Sequence, residues 1–185
     1  MLGGLQVGAN WQTGAIVLGI EADINGSDLG QRNISTASNF DILRTFNESI
    51  RNDWFATVRG RAGWAIDATL LYVTGGLAVG DVKGSWDLAS SNGYAKTASL
   101  SETRVGWTVG AGVEHAFTPN WTVKVEYLYT DLGSLDYTST YVPGSTFAPP
   151  GANYVEHLSQ DFTFHTVRIG LNYKWGGPGP VVAKY

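Results

Sequence analysis

From Trp121 to Gly133 the side chains alternate. Trp121, Val123, Val125, Tyr127 and Tyr129 are large and apolar or amphipathic, while Thr122, Lys124, Glu126 and Thr130 between them are polar or charged. A period of two marks a β-strand with two unlike faces. The same pattern recurs in seven segments, at about 2–11, 15–28, 53–66, 69–86, 102–117, 121–138 and 162–175. All are rich in β-branched and aromatic residues, and none has the 3.6-residue repeat of a helix. The connections alternate too. Three are tight (12–14, 67–68 and 118–120) and three are long (29–52, 87–101 and 139–161). Such a rhythm predicts an up-and-down antiparallel meander with every long loop at one end, which Greek-key sandwiches do not produce.

The next question is which face meets water. In 53–66, Trp54, Ala56, Val58, Gly60, Ala62, Trp64 and Ile66 share one face, and Asp53, Thr57, Arg59, Arg61 and Gly63 the other. In 162–175, Val167, Ile169, Leu171, Tyr173 and Trp175 oppose Thr166, Arg168, Gly170, Asn172 and Lys174. Glycines such as Gly76, Gly106, Gly110, Gly112 and Gly170 fall on the polar face. Glycine weakens a water-exposed strand and fills nothing there. Inside a closed barrel of about eight strands it makes room for a neighbouring Arg or Glu. The polar face is therefore the crowded one, and the apolar face points outward into lipid. The tryptophans agree: Trp11, Trp64, Trp121 and Trp175 lie near the short turns or the final strand end, with Trp54 and Trp86 at the long-loop end. That predicts an aromatic girdle at each membrane interface.

Composition narrows the picture further. A chain of 185 residues with 43% hydrophobic residues is the size of one domain, yet it has no apolar run near the ~20 residues of a membrane helix. The net charge of −4 and the lack of a basic cluster give no reason to expect nucleic acid. With no cysteine there is no disulfide scaffold and no thiolate metal site. Glycine, at 24 residues, is about twice as frequent as the usual ~7%.

Bacterial single-chain barrels have an even number of strands, eight at the least. The expected fold is thus all-β, an antiparallel up-and-down transmembrane β-barrel of the eight-stranded type, with seven strands visible over 1–175. Strand 2–11 runs towards a short turn and so descends from the extracellular side. A first ascending strand and a signal peptide are accordingly expected to precede residue 1. The tail 176–185, "GGPGPVVAKY", is Gly/Pro-rich and too short after its break to supply a spanning strand.

Five ordered blocks carry a resemblance: "GLQVGANWQTGAIVLGIEADI" (4–24), "WFATVRGRAGWA" (54–65), "LLYVTGGLAVGDV" (70–82), "GWTVGAGVEHAFTPNWTVKVEYLYTDLG" (106–133) and "HTVRIGLNYKW" (165–175). They resemble the small outer-membrane proteins of alphaproteobacteria, the "porin family" of rhizobial and brucellar surface proteins with an OmpA-type eight-stranded barrel. The resemblance implies a location in the bacterial outer membrane and insertion by the barrel-assembly machinery. It also implies outer-membrane lipid and lipopolysaccharide as surroundings.

The parity of the strands places four acids inside, Glu21, Asp23, Glu114 and Glu126, against four bases, Arg59, Arg61, Lys124 and Arg168. Buried charges must be paired, and a balanced set suits a plugged interior better than an ion-selective path. Three histidines are present: His115 on the apolar face, His165 near the top of the last strand and His157 in the last loop. His165 is followed by Thr166 and Val167, so the His-x-Ser arrangement of lipid A-modifying barrels is absent, and no enzyme, cofactor or metal site is expected. The last loop carries Tyr137, Tyr141, Phe147, Tyr154 and His157. The resemblance implies a haem or host-surface ligand at these rings, although a solvated loop with tyrosines near the headgroups is the plainer reading. The expected role is structural and surface-interacting, and the alternative is a narrow passive channel for small solutes.

Overall fold

The computed structural model describes residues 2–39, 42–142, 144–145 and 156–175. Seven strands form one sheet: β1 (Leu2–Thr13), β2 (Ile16–Asn39), β3 (Ile42–Ile66), β4 (Thr69–Ser90), β5 (Ala95–Ala116), β6 (Trp121–Tyr141) and β7 (Glu156–Tyr173). Their order in the sheet is their order in the chain, and each pairs antiparallel with the next. The tight turns sit where the loop chemistry puts them. Gly14 takes a φ of 60°, which glycine adopts without strain, and Asp67 takes 50°, which short polar side chains tolerate. Trp121 donates its amide to Thr118 Oγ1 at 3.0 Å, closing the third.

Two long connections predicted as loops are strands instead. The β2–β3 ladder runs on from Leu29↔Asn52 to Asn39↔Ile42, and the β4–β5 ladder to Ala89↔Ala95. The outer stretch of β2, "GQRNISTASN", is polar on both faces, so no apolar alternation announces it. Pairing in both connections is propagated from the strands beneath. β3 reaches 25 residues, far beyond the 9–11 that a spanning strand needs. Two long hairpins therefore stand clear of any membrane.

β-Bulges mark the base of these hairpins. Between Asn52 and Phe55 on β3, two residues face one on β4. Asp53 and Trp54 consequently both point outward, and Asn52 and Ile50 turn in. The sequence reading put Asp53 on the inner face. The extra residue shifts the parity, and Asp53 is exposed, held by Lys83.

β1 and β7 are the two edges of the sheet and run parallel. Side chains bridge them: Lys124 of β6 donates to Gln6 of β1, and Arg168 of β7 reaches Asp23 of β2 at 3.1 Å. The sheet is thus curled around a concave interior. Burial on its two sides is inverted relative to a soluble protein. Ile169 is 77% exposed and Val105 70%, whereas Arg59 is 1% exposed and Glu126 0%. So large an apolar outer face is stable only against lipid.

Candidate functional site

Glu21 and Arg59 are cross-strand partners, as are Glu114 with Lys124 and Glu126 with Arg168. The curl of the sheet then brings the eight predicted inward charges into one lattice. Arg59 is its hub, 2.8 Å from Glu21, 2.8 Å from Asp23 and 3.2 Å from Glu126. Arg61 pairs with Glu114 at 2.8 Å and lies over the Tyr72 ring, 4.0 Å from its centroid. Arg168 grips both oxygens of Asp23 at 3.1 Å and sets Nε 2.5 Å from Glu126. Lys124 stands 3.7 Å from Glu126 and 3.9 Å from Glu21. Neutral groups supply further donors: Tyr72 to Glu126 at 2.9 Å, Thr57 to Asp23 at 2.7 Å and Thr122 to Glu114 at 2.6 Å.

Glycine makes this crowding feasible. A Cβ on Gly112 would sit 2.5 Å from the Tyr72 ring, and one on Gly170 would press on the Lys124 stem at 3.1 Å. The geometry therefore accounts for glycine on the polar face.

Above the charges, towards the hairpins, the interior turns apolar. Ile50, Ala78, Val82, Ala98, Leu132 and Phe162 form one buried cluster, with Trp86, Leu100 and Phe164 packed on it. Phe55 is buried beside them, 5.3 Å from the Phe164 ring in an edge-on contact. At the short-turn end, Val17, Ala65, Leu70 and Tyr72 make a smaller apolar layer. Neither layer follows from alternation, because these residues sit on the face the charges had marked as polar. The repeated inward parity of Ala78 and Val82 on β4, and of Phe162 and Phe164 on β7, was the available signal.

Trp11, Trp64, Trp121 and Trp175 are exposed at the short-turn end, where Trp121 and Trp175 both pack on Tyr173. Trp54 is outward and half-buried at the other. Trp86 is not in the girdle. On β4 the even-numbered residues face in, so Trp86 packs on Phe46 with ring centroids 6.3 Å apart, against the inner apolar cluster. Trp107, missing from the predicted girdle, lies on the outer face against Tyr129 at 5.3 Å. Beside it His165 stacks on Tyr127 and accepts or donates a hydrogen bond at 2.6 Å.

The aromatic last loop is only partly described. Tyr141 ends β6, edge-on to Tyr94 and with Lys96 5.0 Å from its ring centroid. His157 is exposed on β7, opposite Thr138, rather than in a loop. Tyr137 lies within β6, while Phe147 and Tyr154 fall outside the described residues, as does the tail 176–185. Among the described residues no cluster of three or more His, Asp or Glu is placed to hold a metal. At the hairpin base, a hydrogen bond from Lys83 holds the Asp53 carboxyl below its usual range, and Asp53 and Asp81 raise Lys83 in turn.

Residues 2–175 match the family described as outer membrane protein beta-barrel domain. The chain belongs to that family. It is 39% identical to the 31 kDa outer-membrane immunogenic protein of Brucella melitensis biotype 1 over 94% of its length and 66% of that protein. The 22 kDa outer membrane protein of Rhizobium leguminosarum bv. viciae is 40% identical over 70% of the chain and 52% of the relative. The 25 kDa outer-membrane immunogenic protein of Brucella melitensis biotype 1 is 30% identical over 93% and 64%. The chain thus spans between about half and two thirds of the length of these relatives. No solved structure matches it. Membership places this outer-membrane β-barrel protein in the bacterial outer membrane.

Proposed function

We propose that this barrel is a non-enzymatic scaffold of the cell envelope with a filled interior, and that it displays its hairpins at the cell surface. The observation that carries the reading is the interior: a balanced lattice of four acids and four bases lies between two apolar layers. Ions crossing it would have to break buried pairs and then shed water against Phe55, Val82 and Leu132. The Brucella relatives are named immunogenic, which supports exposure of the corresponding hairpins outside the cell. Its partners on this reading are outer-membrane lipid and lipopolysaccharide along the belt, and the barrel-assembly machinery during insertion. A haem or host ligand at the last loop gains no support from Tyr141, which is already packed on Tyr94 and Lys96.

The rival reading, a narrow solute channel, is separated by planar-bilayer conductance and liposome swelling of the refolded chain. The scaffold predicts bilayer insertion without steady single-channel steps and without swelling in small sugars. Reproducible steps or swelling would establish the channel.

A further inference from the structure

On the outer face at the hairpin base, the chemistry changes abruptly beyond the apolar belt. Arg51, Lys83 and Ser101 are cross-strand neighbours on β3, β4 and β5, and Ser49, Ser85 and Ser99 form the next row outward. These six residues, with Gly84 and Leu100, line an open concavity of about 370 Å³. Two cations and four hydroxyls line it, and no carboxylate does. Lys83 is anchored from the membrane side by Asp53 at 2.5 Å and Asp81 at 3.2 Å. An ammonium has three protons, so one remains for a further acceptor. Arg51 faces the same Asp53 carboxylate through its charge alone, and its guanidinium donors make no hydrogen bond among the described residues.

The height of the patch restricts what reaches it. Arg51 lies three residues beyond Trp54 on β3, and Ser101 four beyond Val105 on β5. That is roughly 10–13 Å along a strand at ~3.3 Å per residue, less once strand tilt is counted. The polar layer beyond the hydrocarbon core is about 5–8 Å deep on each side, so the Arg51 row stands at the outer edge of the lipid headgroups and the serine row, two residues further, at the level of a glycolipid's sugars. Planar guanidinium and compact ammonium groups flanked by hydroxyls are complementary to phosphate and sugar oxygens.

We infer that Arg51, Lys83 and the four serines form a docking site for a phosphate group of an outer-leaflet glycolipid. The inference rests on the orientation proposed above, with the hairpins on the outer side. In it, Arg51 and Lys83 pair with phosphate oxygens, and the serine hydroxyls bond the remaining oxygens and the sugar. Asp53 and Asp81 position Lys83 without touching the lipid.

The test is native mass spectrometry of the full chain refolded in uncharged detergent. The probes are bisphosphorylated lipid A, fully dephosphorylated lipid A and inorganic phosphate. The parent should retain the phosphorylated lipid and neither control. The double variant Arg51→Ser/Lys83→Ser should bind it about tenfold more weakly or worse. Arg32→Ser/Arg44→Ser, an equal loss of charge higher on the hairpin, should bind like the parent. Arg51→Ser alone leaves the Lys83 anchors intact and should lose part of the affinity. Equal retention by the double variant, equal loss in the control pair, or equal binding of dephosphorylated lipid A would each overturn the site. So would binding abolished by EDTA yet indifferent to the double variant, which would assign the lipid to a divalent bridge on Asp53 and Asp81. Orientation plays no part in micelles, so failure there leaves it standing. It fails separately if protease added to intact cells spares the hairpins.

Discussion

Lys124 and Val125 are adjacent in β6, and the difference between them is a whole environment. Lys124 is buried among carboxylates, while Val125 is half exposed on the outer face, paired with Val113 and Ile169 midway between Trp121 and Tyr129. Arginine at Val125 would stand in hydrocarbon without a partner. We expect Val125→Arg to cost about 2–4 kcal/mol in a bilayer, measured by denaturant titration of the refolded protein in vesicles. Parent-like stability would reverse the assignment of faces. The interior makes the opposite demand. Arg59 faces Glu21, Asp23 and Glu126 with its side chain fully buried. Arg59→Ala leaves those carboxylates without their hub and should destabilise by roughly 3–5 kcal/mol, since orphaned buried charge is the costly outcome. A loss under about 0.5 kcal/mol, typical of exposed pairs, would mean that water reaches the lattice.

At the scale of elements, the membrane-spanning parts were legible and the hairpins were not. Alternation is imposed where one face meets lipid and the other a crowded interior, so Val58/Arg59 and Val125/Glu126 declare themselves. Beyond the belt the outer face meets water instead of lipid, and Ser, Thr and Asn serve strand and loop alike. The bulges hid the rest. A reader keeping strict parity from Arg59 upward places Asp53 inside and Asn52 outside, whereas the structure has the reverse. Asn52 repairs what the bulge leaves undone. It is fully buried, donates to the carbonyls of Trp54 at 3.1 Å and Asp81 at 2.7 Å, and accepts from Ser27 Oγ at 2.6 Å. Three strands are tied through one amide. Asn52→Leu keeps the volume and removes the donors, so it should cost about 1–3 kcal/mol. Hydrogen exchange should also quicken around Ser27, Trp54 and Asp81 while the short-turn end keeps its protection. Uniform change along the barrel would show that Asn52 has no local role.

For the whole molecule, the interior holds two different barriers in series. On the scaffold reading, the charged lattice blocks passage because its carboxylates and cations are engaged with one another. The apolar layer of Phe55, Val82, Leu132 and Phe162 blocks it because an ion there loses hydration and gains no replacement, a cost of several kcal/mol even after relaxation. Barriers in series are governed by the higher one, so removing either should leave the other in control. Thinning the upper layer alone, with Phe55→Ser and Phe162→Ser, should therefore leave conductance near the parent's low level. Removing the central pair of the lattice by Arg59→Gln with Glu126→Gln should do the same. Only the four substitutions combined are expected to give measurable ion flow, with circular dichroism confirming that each variant remains folded. Conductance rising fully in either pair of substitutions would show that one layer alone closes the barrel, and the other would then be needed only for packing.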